Sequence, residues 1–341
     1  MQSVALELDS RFTLISGPNA SGKTSLLEAI YVLGRGRSFR TRRLEHLIRR
    51  GSERFVVFGE VAAFDRRVSL GVEGSGDGVR AKLGGNKANT LAELATLLPV
   101  QIIDPEIHRL IEEGPSRRRR FLDWGVFHVE PRFVDDWQRY QQALKQRNAA
   151  LKSRQPRPVT AAWDGELIRH GEAISAARSR YVASLSVYAA EIARNLLGME
   201  LAISYRPGWG RDLSLSEALA QSWALDQESG ATQMGPHRAE LSIRLNELSV
   251  KDRISRGQQK LLAAALLMAQ IKLFPPDSMV QPSLLLDDPA AELDNARLTR
   301  LIAEVAAQST QLIVTTLHPE FAEFGAPGLQ YRIDAGQILA A

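Results

Sequence analysis

Residues 17–24 read GPNASGKT, the pattern G-x-x-x-x-G-K-[ST], and the flanking sequence leaves few folds open to the chain. Phe12-Thr13-Leu14-Ile15 has the apolar run of a short buried strand, and Ser25 to Leu33 carries an apolar stripe at helical spacing. A strand, a glycine turn and a helix N-terminus in that order aim backbone N–H groups at an anion. Gly17 and Gly22 let the backbone wrap phosphates with no Cβ in the way. Lys23 would neutralise the β- and γ-phosphates, and the Thr24 hydroxyl would ligate Mg²⁺. Pro18, Asn19, Ala20 and Ser21 complete the turn, and Ser25 follows Thr24 into the helix, so residues 17–25 form the expected nucleotide cradle. The competing reading is a chance glycine-rich turn, which does not account for the strand and helix on either side.

A second segment supplies the acids such a cradle needs. Ser283-Leu284-Leu285-Leu286-Asp287-Asp288 is an apolar strand ending in carboxylates. An Asp at that strand end holds Mg²⁺ in P-loop NTPases, and Asp287 is expected in that role. Asp288 stands where ATPases of the ABC type usually carry a Glu that polarises the attacking water. An Asp is one methylene shorter and would act slowly or through a second water. Lys23 and Asp288 are thus the candidate catalytic residues, and Thr24 and Asp287 the candidate metal ligands. Ile254 to Leu262, ISRGQQKLL, resembles the ABC signature motif. Ser255, Gly257 and Gln258 open a helix expected from about Gln259 to Leu273, an N-terminus suited to a γ-phosphate. The plainer reading is a Ser-capped helix. In the ABC superfamily the signature of one subunit caps the ATP held by the other, which implies an ATP-dependent homodimer. Ala291-Glu292-Leu293-Asp294 resembles the D-loop that crosses that interface.

The sequence between these motifs narrows the resemblance. LLEAIYVLGRGRSFRT (26–41), PSRRRRFLD (115–123), RYQQALKQRNAALK (139–152), TQMGPHRAEL (232–241), SRGQQKLL (255–262) and LLLDDPAAELD (284–294) follow in one order. The series closely resembles the RecF family of bacterial DNA replication and repair ATPases, over nearly the whole chain. The paired Asp at the strand end is also usual in that family. The resemblance implies an α/β fold, an ABC-type P-loop ATPase head with a mixed sheet (lobe I), a mostly helical lobe II and no long coiled coil. It implies ATP and Mg²⁺ as cofactors and slow hydrolysis. DNA, as duplex, gap or single-strand junction, would be the partner. RecR and RecO as further partners, RecA loading and a link to the SOS response are also implied. Departures lie at the start, where Met1-Gln2-Ser3-Val4-Ala5-Leu6-Glu7-Leu8 begins partway through a region that usually holds a further strand and turn, and at Ala20, where Gly is common. The first places adenine stacking and the sheet edge in question.

Composition is compatible with this reading. An apolar fraction of 44% over 341 residues is ample for a core, and a net charge of +4 permits contact with nucleic acid. The absence of cysteine excludes disulfides and thiolate metal sites and suits a cytoplasmic location. No apolar run is long enough for a bilayer span, and no signal peptide is evident, so no membrane is expected.

Three segments are expected: residues 1–104 as the N-terminal part of the ATPase lobe, 105–230 as the mainly helical lobe, and 231–341 as the signature, Asp287 strand and C-terminal part of the ATPase lobe. Phe55 to Val61 and Arg67 to Val72 read as paired strands, with a turn within Gly74 to Gly78. Gln155 to Pro158 reads as a loop between helices, and Gln311 to Thr315 as a final strand. No long heptad region is present, which argues against SMC and Rad50 proteins. Two basic clusters are candidates for DNA phosphates: Arg35, Arg37, Arg40, Arg42 and Arg43, and Arg117 to Arg120. Four consecutive helical Arg point in different directions, so some would be solvated or paired with acids. His237 and His318 fall in site-like segments, with structural or solvent-exposed roles the simpler reading. Asp104-Pro105-Glu106 falls in the Q-loop region without a Gln. Two alternatives remain: an ABC transporter ATPase subunit, which lacks a clear Q-loop and coupling surface here, and a non-hydrolysing ATP-gated DNA scaffold.

Overall fold

The computed structural model describes residues 3–340 except 42, 64, 65, 247, 251–253, 279, 292, 309 and 318–324. The chain divides into two compact units, Met1–Ile107 with Phe274–Ala341, and His108–Leu273.

The first unit is built on a six-stranded sheet. Its strands are β1 (Phe12–Ser16), β6 (Val100–Ile103), β10 (Ser283–Asp287), β11 (Gln311–Thr316), β12 (Leu329–Asp334) and β13 (Gln337–Ala340), in the order β13-β12-β1-β11-β10-β6. All neighbours run parallel except β12 and β13, so the sheet is mixed. Every residue of β1 and β10 is buried, as expected of parallel strands covered on both faces. Helix α1 (Lys23–Arg35) lays Leu26, Leu27 and Tyr31 into the core with Ile15, Leu285, Ile313 and Ile333. Val4, Leu6 and Leu8 pack on the same core from the segment before β1. Helix α11 (Asn295–Ala306) is capped by Asp294, whose carboxylate accepts from the Arg297 N–H at 2.9 Å.

A second sheet in this unit is an antiparallel meander of β2 (Arg54–Ala63), β3 (Arg66–Ser75), β4 (Gly78–Leu83) and the short β5 (Asn86–Lys87). The expected pairing and turn are both present. One face buries Leu70, Val72 and Ala81 against Val32 and Leu33 of α1 and Leu94 of α2 (Ala92–Leu97).

The second unit is mainly helical. It contains α3 (Arg109–Glu112), α4 (Pro115–Val129), α5 (Phe133–Lys152), α6 (Arg157–Ala161), α7 (Asp164–Leu197), α8 (Leu215–Gln221), α9 (Trp223–Ser229) and α10 (Arg256–Lys272). A small antiparallel sheet joins β7 (Leu201–Arg206), β8 (Glu240–Leu245) and β9 (Leu248–Ser249). The 34-residue α7 is the longest helix among the described residues, and α4, α5 and α10 pack along it. No long coiled coil forms among them. Two local expectations differ from the structure. Arg157 and Pro158 open α6, because the first turn of a helix tolerates a missing N–H. Residues 231–273, grouped from sequence with the C-terminal ATPase part, pack in the helical unit. The physical reason is α10, buried on every face from Gln259 to Ile271 and laid along α7.

Candidate nucleotide-binding site

At the C-terminal end of β1 the chain turns through residues 17–22 into α1. The Gly17 N–H donates to the Thr316 carbonyl at 3.2 Å, tying the loop to β11. A Cβ on Gly17 would lie 2.2 Å from the Ile333 carbonyl oxygen, so glycine is required there by the approach of β12. That reason differs from the room for phosphate expected from sequence. Gly22 is the N-cap of α1 at φ 109°, a conformation L side chains avoid. Ala20 sits at φ 62°, in the left-handed region, which explains why glycine suits this position.

Lys23 is 7% exposed, and its Nζ donates to the carbonyls of Gly17 (2.7 Å) and Pro18 (2.8 Å). Burial lowers its pKa, opposed by the carboxylates of Asp288 and Asp287. Thr24 Oγ1 donates to both Asp287 oxygens, at 2.9 and 3.0 Å, and Thr315 Oγ1 donates to Asp287 Oδ1 at 2.7 Å. Thr315 is level with Asp287 in the β10–β11 register. Sequence reasoning gave Thr315 no role; its place at the end of a β-rich apolar run was the available signal.

Asp288 follows the strand at φ 45°, held by its N–H on the Thr315 carbonyl and on Thr315 Oγ1, each at 3.1 Å. Non-glycine residues in this region are strained and cluster at functional sites. The donor set fits a triphosphate with a hard divalent cation. Ser21 Oγ is buried without a hydrogen-bond partner at the head of α1, where an anion would satisfy it. The Thr24 hydroxyl and the Asp287 carboxylate are oxygen ligands of the kind Mg²⁺ takes. Pro18, Asn19 and Ser25 are exposed around this loop.

Thr24 and Asp287 open onto a cavity of about 590 Å³ that Glu28, Arg40, Asp104 and Glu106 also line. Asp104 arrives there because β6 lies beside β10 with Ile103 opposite Leu286. Buried Glu28 accepts from Ser38 Oγ and from Arg40 at 3.4 Å, anchoring the loop after α1. One member of the first basic cluster is therefore held at this cavity. Arg42 of that cluster, with Glu292 and His318, lies outside the described residues.

Ser255, Gly257 and Gln258 belong to the helical unit. Ser255 caps α10: its Oγ accepts from the Gln258 N–H at 3.3 Å, and Gln258 Oε1 accepts from the Ser255 N–H at 2.9 Å. Ser255 and Arg256 are exposed, leaving this helix end accessible. The second basic cluster is largely structural. Arg118 is 3% exposed and binds Glu240 through two hydrogen bonds, at 2.7 and 2.8 Å. Arg119 donates to the Ala239 carbonyl at 2.8 Å, and Arg117 pairs with Glu113 at 3.1 Å. His237 is also structural, with Nδ1 accepting from the Tyr140 hydroxyl at 2.6 Å and Nε2–H donating to the Thr232 carbonyl at 2.9 Å. Burial pushes its pKa down to about 4.

The family model for the RecF/RecN/SMC N terminal domain matches residues 1–332. The chain is 38% identical to the DNA replication and repair protein RecF of Hydrogenovibrio crunogenus, over 99% of this chain and 95% of that protein. The chain belongs to the RecF family. Its structure is similar to that of the recombination mediator protein RecF with ATP in the RecFOR pathway, with a TM-score of 0.86 and 27% identity, covering 98% of this chain and 93% of that one. An Smc head domain derived from Pyrococcus furiosus, 17% identical, shares the fold with a TM-score of 0.57, covering 96% and 88% of the two chains. The ABC-type ATPase head with a mixed sheet and a helical unit, expected from the RecF-family motifs, is thus the architecture of this chain. Among the described residues, no helix is long and apolar enough to cross a membrane.

Proposed function

We propose that this RecF-family chain is an ATP-dependent DNA-binding protein of recombinational DNA repair and replication, with weak ATPase activity. The observation that carries this reading is the contact of Thr24 with Asp287 at 2.9 and 3.0 Å, with the charges of Lys23 and Asp288 close by. A P-loop threonine and a strand-end aspartate meet where a nucleotide's cation would sit. The relatives' names, which speak of DNA replication and repair, and the RecF–ATP structure supply the partner and nucleotide classes.

In this reading the N–H groups of residues 19–24 and the Lys23 ammonium bind the ATP phosphates, Lys23 leaving the carbonyls of Gly17 and Pro18 to do so. Thr24 and Asp287 would hold Mg²⁺, which supplies charge neutralisation at the phosphates. Asp288 accepts the proton of the attacking water. The exposed head of α10 on a second copy, with Ser255, Gly257 and Gln258, contacts the γ-phosphate once its capping box opens. ATP then joins two copies on duplex or gapped DNA, and hydrolysis separates them. RecR and RecO are the protein partners in this reading, and RecA loading and the SOS response its outcome.

The test is solution mass by light scattering, with and without Mg²⁺ and a slowly hydrolysed ATP analogue. A shift from monomer to dimer is expected, lost in Lys23→Ala through failed nucleotide binding and in Ser255→Arg with nucleotide binding intact. A chain that binds the analogue in the presence of DNA yet stays monomeric would overturn the composite site.

A further inference from the structure

The outer face of the β2–β5 meander combines features that the nucleotide site does not use. Phe58 and Val56, on the edge strand β2, are 66% and 63% exposed, although their neighbours Val57 and Val61 pack inward. Opposite Phe58 in the register stands Gly71 of β3, then Lys82 of β4, then Lys87 of β5. A Cβ on Gly71 would meet only the Lys82 Cβ, at 3.9 Å, so the floor between Phe58 and Lys82 is open. At about 4.8 Å between strands, that gap is roughly 10 Å wide, enough for a planar ring beside Phe58. The adjoining row is Val56, Glu73 and Arg80.

Charge on this face is unbalanced. Glu73 pairs with Arg54 at 3.6 Å and Glu60 with Arg67 at 3.8 Å, which accounts for both acids. Arg80, Lys82 and Lys87 make no ion pair among the described residues.

We propose that this face is a platform for single-stranded DNA, on which an unpaired base stacks against Phe58 while the sugar–phosphate backbone crosses Lys82, Lys87 and Arg80. The inference rests on the DNA-binding reading above and gives it a surface and a strand preference. Aromatic rings on an open sheet with cations alongside are the recurrent means of holding single strands. A duplex hides its base faces, so a lone exposed ring gains nothing from it, whereas the cations would attract either form. A protein partner fits less well, because lysine is depleted at the centre of protein interfaces and two of the three cations left unpaired among the described residues of this face are lysines.

The experiment is fluorescence anisotropy of the full chain, with Mg²⁺ and a slowly hydrolysed ATP analogue present, against labelled oligothymidylate and a duplex of equal length, both measured over the same series of salt concentrations. Phe58→Ala is expected to weaken oligothymidylate binding about tenfold and leave duplex binding within about twofold, and Phe58→Trp to restore it. Lys82→Glu with Lys87→Glu should weaken both ligands and flatten the salt dependence. Unchanged oligothymidylate affinity in Phe58→Ala overturns the proposal, as does an equal loss for both ligands. A change in solution mass on Phe58→Ala without a change in DNA affinity would identify a contact between copies instead. Wild-type binding to duplex but not oligothymidylate rejects the platform and keeps the DNA reading, whereas binding to neither rejects both.

Discussion

Lys23 and Arg147 are both buried cations, yet their surroundings differ in kind. Lys23 donates to two carbonyls of its own loop, with the nearest acids acting on it only through their charge. Arg147, fully buried on α5, binds Asp164 at 2.7 Å, Asp226 at 2.7 Å and the Thr232 hydroxyl at 2.8 Å. Arg178 on α7 repeats the pattern with Asp123 and the Pro236 carbonyl. A buried cation neutralised by carboxylates is committed to the fold, because removing either partner strands a charge. A buried cation held by loop carbonyls keeps its charge for an anion. The orphaned Ser21 hydroxyl and the strained backbone at Ala20 and Asp288 belong with Lys23 on this second side.

The contrast breaks first at Arg147. Arg147→Ala leaves Asp226 fully buried without its cation, and the expected loss of stability is about 3–5 kcal/mol, read by urea denaturation. A loss below about 1 kcal/mol would mean that the helical unit does not depend on its buried pairs.

Asp288→Asn tests the other side. The amide keeps the shape and cannot take a proton, so turnover should fall about 10²–10⁴-fold. Nucleotide affinity should hold, because Lys23, Thr24 and Asp287 are untouched. Equal rates for variant and wild type would assign Asp288 no part in hydrolysis and favour the ATP-gated scaffold.

What could be read from sequence followed the same division. The P-loop, the Asp287 strand and the signature helix are local patterns, each complete within a dozen residues or so, and the structure forms an element at each. The β12–β13 hairpin escaped although Leu329, Tyr331 and Ile333 alternate with polar residues as a half-buried strand requires, because its two-residue turn places Ala335, not the usual Asn or Asp, beside Gly336 at positive φ. The four-residue β6 escaped because so short an apolar run fits helix or strand equally. The arginine run at 117–120 suggested a nucleic-acid surface. Its fate depended on Glu240 and the Ala239 carbonyl, more than a hundred positions away, and no local pattern encodes that pairing. Thr315 likewise acquires its role only through strand register.

His237, half-buried in the helical unit, ties stability to pH. Burial depresses its folded-state pKa to about 4, below the usual value near 6.5, so the unfolded chain binds the proton more readily. Its contribution to stability is complete above about pH 6.5 and is lost as pH falls toward 4, with a slope of at most about 1.4 kcal/mol per unit. Urea midpoints for wild type and His237→Asn, measured at several pH values across that window, should converge as pH falls. Parallel curves would show that the imidazole titrates normally and is not held neutral by its burial.

The smallest effect concerns the loop itself. Ala20 at φ 62° carries a cost of about 1–2 kcal/mol that glycine would not. Glycine gives back part of that gain, roughly 0.5–1 kcal/mol, through the larger entropy of the unfolded chain. Ala20→Gly should therefore raise stability by at most about 1.5 kcal/mol, whereas Gly22→Ala, at φ 109°, should lower it. The pair is informative because the two positions flank Ser21 and share its loop. If Ala20→Gly stabilises the free protein and leaves ATP affinity unchanged, the strain at Ala20 is incidental to binding. If stability rises while affinity falls, the alanine holds the loop near its bound shape, and the strain stored there belongs to the nucleotide site.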